Sequence, residues 1–336
     1  MSPTGQNRGA PLLEVRGLAV GFRRDGGGTP LRAVDGVSFE LREGETLGLV
    51  GESGCGKSVT ALSMLRLLPS PPSVREAGEV LWRGRDLLSM PVEELRRVRG
   101  GKIGMIFQEP MSALSPLHRI GDQLVETALL HLDIGKREAR ALALDWLRKV
   151  GLPDAEQRMD DLPHQLSGGM RQRVMLAMAM LPEPEILLAD EPTTALDVTV
   201  QAQIFELLAK LRGGKTAVLL ITHDMGVVWE VCDRVHVMYA GTIVERGRRE
   251  DVFARPSHPY TRGLLAAMPS LHRRAARLPD IPGHPPAPGE WPSGCRFAPR
   301  CPRATDLCRS ALPAWRDAPG DGHCAACHHP HEDTPT

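Results

Sequence analysis

One stretch of the sequence has residue types and spacing suited to holding phosphate groups, and it runs Gly51, Glu52, Ser53, Gly54, Cys55, Gly56, Lys57, Ser58. These residues, here called the phosphate loop, fit the pattern G-x-x-x-x-G-K-[ST]. Glycines let successive backbone N–H groups point inward, and the N-terminus of a following helix adds partial positive charge. Lys57 supplies a point charge for β- and γ-phosphates, and Ser58 offers a hydroxyl to Mg²⁺. The stretch therefore predicts a site for a nucleoside triphosphate with Mg²⁺.

The flanks of the phosphate loop support this interpretation. The apolar run Thr46–Val50 before the loop predicts a buried strand, and the segment from Val59 to Leu68 after it predicts a helix. A strand–loop–helix context is what the motif requires. The alternative, a glycine-rich turn that matches by chance, does not explain why both flanks fit as well.

A second candidate site lies at Asp190 and Glu191, which follow the apolar run Ile186–Ala189. A strand there would put Asp190 at the carboxyl edge of a sheet, beside the phosphate loop, where it could hold Mg²⁺ through water. Glu191 could then orient and deprotonate an attacking water. Such acidic pairs are often only solvated loop ends, but the presence of the phosphate loop favours the functional interpretation.

Composition sets broad limits on the class of protein. The chain has 336 residues, 42% of them hydrophobic, with 41 basic and 41 acidic residues and a formal net charge of zero. This balance gives no overall attraction to nucleic acid. No apolar run approaches the ~18 residues of a membrane span, and the polar start of the chain does not resemble a secretory signal. We expect a cytoplasmic protein whose membrane role, if any, is peripheral and depends on a partner.

The order of elements predicts an α/β fold. Strands alternate with helices, which indicates a mainly parallel sheet with helices packed on it. A helical stretch from Ile120 to Val150 interrupts the pattern, and we interpret residues 109–180 as an inserted helical subdomain. After about Pro269 prolines recur, so that neither a helix nor a central strand can continue. The predicted domains are therefore 1–268 and a C-terminal extension over 269–336, with an extended proline-rich connector.

Several motifs occur in an order and at spacings that are typical of one protein family, and together they extend over nearly the whole chain. They are the phosphate loop, Gln108, Leu166 to Gln172 (Leu-Ser-Gly-Gly-Met-Arg-Gln), Asp190-Glu191, Ala195 to Asp197 and His223. Together they resemble the nucleotide-binding subunit of an ABC transporter, and the Ser-Gly-Gly-Met-Arg-Gln segment discriminates it from other phosphate-loop ATPases. The resemblance implies the P-loop NTPase fold of an ABC nucleotide-binding domain.

The resemblance also implies roles for single residues. Lys57, Gln108, Glu191 and His223 would be catalytic: Gln108 would reach Mg²⁺ and the attacking water, and His223 the γ-phosphate. The residues expected to contact ATP are Phe22 on the adenine, the phosphate loop with Val59, Asp190, and Ser167, Gly168, Gly169 and Asp197 from the opposite subunit. Phe22 could instead be an ordinary core residue. Cys55 is either a small filler or a thiol whose pKa the helix N-terminus lowers.

Three further segments resemble the dipeptide and oligopeptide importer branch of the family. They are Gln108 to Glu126, Asp190 to Gln203 and His258 to Leu265. The strongest marker is the C-terminal tail, with Gly294 to Pro302, then Cys308, then Cys327-His328. The resemblance implies an ATPase that energises peptide uptake at the cytoplasmic face of the cell membrane. Its partners would be a second ATPase subunit (a sister chain or a copy of itself), two permeases and, indirectly, an extracytoplasmic binding protein. Nickel importers share this branch.

The cysteines of the tail form a candidate metal site. Cys295, Cys301 and Cys308 lie at spacings of six and seven, and Cys327 or Cys324 could supply a fourth thiolate. Four thiolates suit a [4Fe–4S] cluster or Zn²⁺. The spacing lacks the close cysteine pairs of structural zinc sites, which favours the cluster, and the resemblance favours Cys327. Free or disulfide-bonded cysteines remain the alternative.

Two other functions compete with the importer. A soluble ABC ATPase acting on nucleic acid would usually carry two cassettes or a long coiled coil, whereas this chain has one phosphate loop and no sustained heptads. A regulatory subunit that barely hydrolyses ATP is disfavoured because Lys57, Asp190, Glu191 and His223 are all intact.

Overall fold

The structure is a computed structural model that describes residues 10–23, 28–108, 113–193, 198–211, 215–268 and 280–331. Its strands are Leu13–Phe22 (β1), Leu31–Leu41 (β2), Thr46–Val50 (β3), Ser73–Trp82 (β4), Arg85–Asp86 (β5), Ile103–Ile106 (β6), Ile186–Asp190 (β7), Ala217–Thr222 (β8), Arg234–Tyr239 (β9), Thr242–Arg248 (β10), Trp315–Asp317 (β11) and Cys324–Ala326 (β12). Its α-helices are Lys57–Met64 (α1), Val92–Val98 (α2), Ile120–His131 (α3), Lys136–Lys149 (α4), Ala155–Arg158 (α5), Gly168–Met180 (α6), Val198–Leu211 (α7), Met225–Val231 (α8), Arg249–Ala254 (α9), Pro259–Ala266 (α10) and Asp306–Ser310 (α11). Pro163–Gln165 and Ala298–Arg300 form short 3₁₀ turns.

The described residues group into two compact units. The first unit takes its residues from Met1–Arg42, Thr46–Ser89 and Thr222–Thr336, and the second from Glu43–Glu45 and Met90–Ile221. The domain boundaries predicted from the sequence, at 109, 180 and 269, stay predictions; 109 and 269 lie outside the described residues.

The first unit contains two groups of strands. One is antiparallel, in the order β2-β1-β4-β5. In the other, β3 pairs in parallel with β9, and β10, β12 and β11 continue from β9 in antiparallel fashion. Helix α1 packs against β1 and β2. β3 is buried along its whole length, as expected for a parallel strand covered on both faces.

A fully buried carboxylate joins three segments of the first unit. Glu245 on β10 accepts hydrogen bonds from the backbone N–H groups of Ser257 (2.7 Å) and His258 (2.9 Å) and lies 2.7 Å from Nε2 of His323. Burial alone would lower the pKa of His323, but the hydrogen bonds to Glu245 and to the carbonyl of Pro319 outweigh it and raise the pKa. The contact between Glu245 and His323 is therefore a hydrogen-bonded ion pair wherever the imidazole is protonated. A buried carboxylate requires such compensation.

The second unit combines a parallel set of strands with helices. Its strands follow the order β6-β7-β8. Helix α6 packs on β6 and contacts α7, while α3 and α4 pack against each other and both contact α6. Leu124, Ala128, Trp146 and Leu147 are buried there, so the helices form an apolar core of their own.

The structure differs from the sequence-based expectations in four respects. The prediction of a mainly parallel sheet is incomplete, because the strands β2-β1-β4-β5 form an antiparallel sheet. The helical stretch from Ile120 to Val150 divides at Leu132, where the backbone becomes extended (φ −122°, ψ 143°). Helix α1 ends at Met64 rather than Leu68, since Arg66 has a positive φ of 53°, which a right-handed helix cannot accommodate. The tail elements α11, β11 and β12 were not predicted.

His236 on β9 makes folding stability sensitive to acid. Its side chain is buried, Nε2 lies 3.5 Å from Nη2 of Arg234, and Nδ1 has no hydrogen-bond partner among the described residues. Burial, aided by the charges of Arg234 and Arg246, lowers the pKa of His236 well below its ordinary value of 6.5. The folded chain therefore holds it neutral, while the unfolded chain protonates it below pH 6.5. Stability is lost as the pH falls through this range.

We predict that His236→Phe flattens the acid limb of the stability profile. In the wild type, this histidine contributes a slope of up to about 1.4 kcal/mol per pH unit below pH 6.5. Urea unfolding between pH 5 and 8 measures it, and His284→Phe, at an exposed histidine, is the control. Equal slopes for wild type and His236→Phe would contradict the assignment.

Candidate functional site

The phosphate loop connects β3 to α1 in the first unit, as predicted. Lys57 is 4% exposed, and its Nζ donates to the carbonyls of Gly51 (2.8 Å) and Glu52 (3.1 Å). The N-cap of α1 is Gly56, which has no side chain to cap the first N–H groups of the helix. The lysine ammonium and the uncapped start of a helix thus lie in one short segment, and both attract anions.

Two glycines of the phosphate loop have left-handed backbones but different surroundings. Gly56 has φ +106°, and a Cβ there would lie 2.6 Å from the carbonyl oxygen of Ala33 and 2.9 Å from Cε of Met238. Gly54 has φ +79°, and a Cβ there would meet nothing within 4 Å. Gly56 therefore meets a steric requirement in addition to the conformational one.

Cys55 is a buried filler of the phosphate loop. It is 1% exposed. Burial raises the pKa of its thiol, and the nearby charge of Lys57 opposes this only in part. The direction of this shift is opposite to the one expected of a thiol made reactive by the helix N-terminus, because removal from water outweighs the charge of Lys57.

In the second unit, Gln108 and Glu191 form a hydrogen-bonded pair. Nε2 of Gln108 donates to Oε2 of Glu191 over 3.2 Å. Glu191 follows β7, donates its backbone N–H to the carbonyl of Ile221 (2.9 Å) and has φ +45°. A positive φ at a residue with a side chain is uncommon and is often found where side-chain direction matters for function. Asp190, just before it, is 3% exposed.

The remaining predicted site residues are distributed over both units. Ser167 is the N-cap of α6, and its Oγ accepts from the backbone N–H of Met170 (3.3 Å). Gly168 and Gly169 are the first residues of that helix. Phe22, half-buried, ends β1, and His223, exposed, follows β8; both belong to the first unit. Asp197 lies outside the described residues. The expected proximity of Asp190 to the phosphate loop stays a prediction.

Four of the tail cysteines line one small cavity. Cys295, Cys301, Cys308 and Cys327 surround a space of about 10 Å³. Burial raises the pKa of the Cys295, Cys301 and Cys327 thiols, that of Cys327 to about 11, and the neighbouring thiols add to the shift. Cys324 does not line this cavity. Over the ranges described, no group of three or more His, Cys, Asp or Glu side chains is arranged to hold a metal ion.

His258 lines the same cavity and has an unused donor. Its Nδ1 accepts the backbone N–H of Tyr260 (3.1 Å), so Nε2 carries the proton. That Nε2 is buried and has no hydrogen-bond partner among the described residues. A buried donor without an acceptor is costly, and a thiolate or sulfide in the cavity would supply the acceptor.

Comparison with known proteins identifies the family. The chain matches the family described as "ABC transporter" over residues 34–194, and "Oligopeptide/dipeptide transporter, C-terminal region" over residues 244–308. It is 49% identical to the dipeptide transport ATP-binding protein DppD of Bacillus subtilis (94% of each chain) and 47% identical to the oligopeptide transport ATP-binding protein OppD of Escherichia coli (98% of this chain, 97% of the other). The chain belongs to the ABC transporter family. This ABC ATPase hydrolyses ATP in a cycle coupled to transport.

A solved structure supports the same conclusion. The ABC ATPase superposes on the dimeric structure of MJ0796, a bacterial ABC transporter cassette, with a TM-score of 0.62 and 28% sequence identity over 70% of this chain and 98% of the other. None of the helices described here has the length and apolar character that crossing a membrane requires.

Residue-level reasoning missed two contacts to the phosphate loop. The hydroxyl of Tyr260 accepts the backbone N–H of Glu52 (2.9 Å), and Arg300 contacts the Glu52 carboxylate. Both residues lie in segments, His258 to Leu265 and Gly294 to Pro302, whose only signal in the sequence is a resemblance to the peptide importer branch. Nothing in their local sequence indicates a partner more than 200 positions away.

We predict that Gly56→Ala impairs the ABC ATPase far more than Gly54→Ala. Both substitutions impose an unfavourable left-handed backbone on alanine, about 1–2 kcal/mol, but at Gly56 the new Cβ also collides with the backbone of Ala33. Binding of a fluorescent ATP analogue and the thermal midpoint measure the difference. Similar losses in the two variants would show that the contact with Ala33 is unimportant.

Proposed function

We propose that this chain is the ATP-hydrolysing subunit of an importer of dipeptides or oligopeptides. The observation that carries the proposal is the match of residues 244–308 to the oligopeptide/dipeptide transporter C-terminal region. The names of close relatives agree with it: besides DppD and OppD, a probable peptide ABC transporter ATP-binding protein of Sinorhizobium fredii is 52% identical over 94% of each chain. Nickel importers of the same branch are the alternative, and the uptake experiment below separates the two.

The proposed chemistry assigns one task to each group. The phosphate loop and Val59 bind the phosphates of ATP, and Phe22 lies against the adenine. Ser58, Gln108 and Asp190 hold Mg²⁺. Glu191 takes the proton of the attacking water, and its hydrogen bond to Gln108 supports this role, because it fixes the direction of the carboxylate. His223 contacts the γ-phosphate.

The proposed assembly contains two ATPase subunits, two permeases and, indirectly, an extracytoplasmic binding protein, at the cytoplasmic face of the membrane. The dimeric state of the MJ0796 cassette supports the pairing of subunits. Ser167, Gly168, Gly169 and Asp197 then act on the nucleotide of the opposite subunit, where the hydroxyl and the bare start of α6 suit a phosphate. The segment from Gln108 to Glu126 lies against the permease and transmits motion to it, residues 109–180 serve as the helical subdomain, and 269–336 form the C-terminal extension.

We further propose that Cys295, Cys301, Cys308 and Cys327 hold a metal centre, with a [4Fe–4S] cluster as the expected form and Zn²⁺ as the alternative. The shared cavity and the unused donor of His258 support a thiolate-bound group there. The raised pKa values of Cys295, Cys301 and Cys327 mean that these three thiols are protonated at neutral pH until a cation displaces the protons. The space of about 10 Å³ is about that of one water molecule, so a cluster requires the four sulfurs to move apart.

We predict that Glu191→Gln in the assembled transporter lowers ATP turnover by about 10²–10⁴-fold, as expected for loss of a general base, while ATP binding persists. Uptake of a labelled dipeptide should stop with it. Glu206→Gln, on the exposed face of α7, is the control. Turnover close to wild type would remove Glu191 as the base. Uptake of nickel instead of peptide by the wild-type assembly would overturn the substrate class.

We predict that the full-length chain, purified without oxygen, absorbs visible light and contains iron, and that Cys327→Ala loses both. Cys324→Ala should keep both, because Cys324 lies outside the cavity. Metal analysis of the same samples decides between the alternatives: a colourless protein with zinc identifies a zinc site. A folded, metal-free wild type would reject the metal centre.

A further inference from the structure

Arg300, in the 3₁₀ turn between Cys295 and Cys301, contacts the phosphate loop through two parallel hydrogen bonds. Its Nη1 lies 2.6 Å from Oε2 of Glu52, and its Nη2 lies 2.9 Å from Oε1. This fork-to-carboxylate arrangement is the strongest geometry available to an arginine. The arginine side chain is 4% exposed and that of Glu52 27%, so solvent screens the pair only weakly.

The guanidinium is held in place from every side. Nε donates to the carbonyl of Pro282 (2.9 Å), Nη2 also donates to the carbonyl of Ile281 (3.1 Å), and Nη1 approaches the hydroxyl of Tyr239 (3.4 Å). Because all three nitrogens have acceptors besides Glu52, the side chain is also held by contacts that do not involve Glu52. An arginine placed this firmly can position the group that it contacts.

Tyr260 fixes the backbone of the same phosphate-loop residue. Its hydroxyl accepts the N–H of Glu52 at 2.9 Å. The ring packs against Tyr239, at a centroid distance of 4.6 Å, and against Phe297, at 5.4 Å. Glu52 is thus held at its backbone by α10 and at its carboxylate by the turn that carries Arg300.

The charge of Glu52 explains why this matters for nucleotide binding. A carboxylate one residue into the phosphate loop, left uncompensated, would repel the anionic phosphates of ATP. We propose that Arg300 and Tyr260 are positioning residues of the nucleotide site: Arg300 neutralises and orients Glu52, Tyr260 fixes its backbone, and the C-terminal region thereby sets ATP affinity. The inference rests on the proposed role of the phosphate loop.

The test measures ATP affinity of the full-length chain with a fluorescent ATP analogue. Arg300→Gln should raise the Kd roughly tenfold or more, as expected for the loss of a charged hydrogen-bonded pair, and in the assembled transporter it should raise the KM for ATP with kcat largely kept. Glu52→Gln/Arg300→Gln should bind ATP more tightly than Arg300→Gln alone, because the repelling carboxylate is gone. Tyr260→Phe, which keeps the ring, should weaken binding severalfold.

Controls separate this inference from its foundation and from simple unfolding. Arg309→Gln, at an exposed tail arginine, should leave the Kd unchanged, and Lys57→Ala should abolish binding. If Lys57→Ala binds ATP normally, the proposed nucleotide site is wrong. If Lys57→Ala fails to bind but Arg300→Gln and Tyr260→Phe stay within twofold of wild type, the positioning role is wrong. A double variant no better than Arg300→Gln also overturns it. If thermal denaturation shows that Arg300→Gln is unfolded, Arg300→Lys is tested in its place. This variant keeps the charge but loses the two parallel hydrogen bonds. Its Kd should lie between the wild-type value and the increase expected for Arg300→Gln.

Discussion

The first unit depends on the compensation of one buried charge. The carboxylate of Glu245 is fully buried, and it is tolerated because two backbone N–H groups and the imidazole of His323 surround it. Those donors lie at the start of α10 and in the tail, so satisfying the charge fixes both segments on β10. Breaking such a set by removing one partner is far more damaging than never burying the charge.

From that carboxylate a series of hydrogen bonds, linked through His258 and Tyr260, leads to the phosphate loop. The N–H of His258 binds Glu245, the ring of His258 accepts the N–H of Tyr260, and the Tyr260 hydroxyl accepts the N–H of Glu52. Arg300 closes the arrangement from the other side. The first two of these hydrogen bonds are buried and the third is partly buried, and leaving such polar groups without partners would be costly. The same contacts therefore satisfy these groups and hold the phosphate loop in place.

The sequence predicted the parts of the site whose signals are local. The strand Thr46–Val50, the phosphate loop and the strand before Asp190 follow from short patterns, and the structure has them at nearly the expected bounds. The contact between Gln108 and Glu191 could be anticipated only through family resemblance. The contact between Arg300 and Glu52 could not be anticipated, since the two residues are 248 positions apart and arginine is common at ordinary surfaces.

The tail shows the same limit in a different form. Spacing alone left Cys324 and Cys327 as equal candidates for the fourth thiol. Cys324 begins β12, where its backbone pairs with Arg246 of β10 and Asp317 of β11, whereas Cys327 follows the strand and reaches the cavity. Pairing of such a short strand depends on partners brought together by the fold, and β-propensity is too dependent on context to reveal it.

The placement of these contacts also bears on the energetics of nucleotide binding. A glycine-rich loop is conformationally free in isolation, and ordering it on binding would reduce affinity, because each fixed residue costs about 1–2 kcal/mol of backbone entropy. The contacts of Glu52 order the start of the loop, and the hydrogen bonds from Lys57 to the carbonyls of Gly51 and Glu52 order it further. If the phosphate loop binds ATP as proposed, folding the C-terminal region against it pre-organises the site, so that less of the binding free energy of ATP is used to order the loop. Through this pre-organisation, a segment outside the strand–loop–helix motif contributes to the affinity of that motif for ATP.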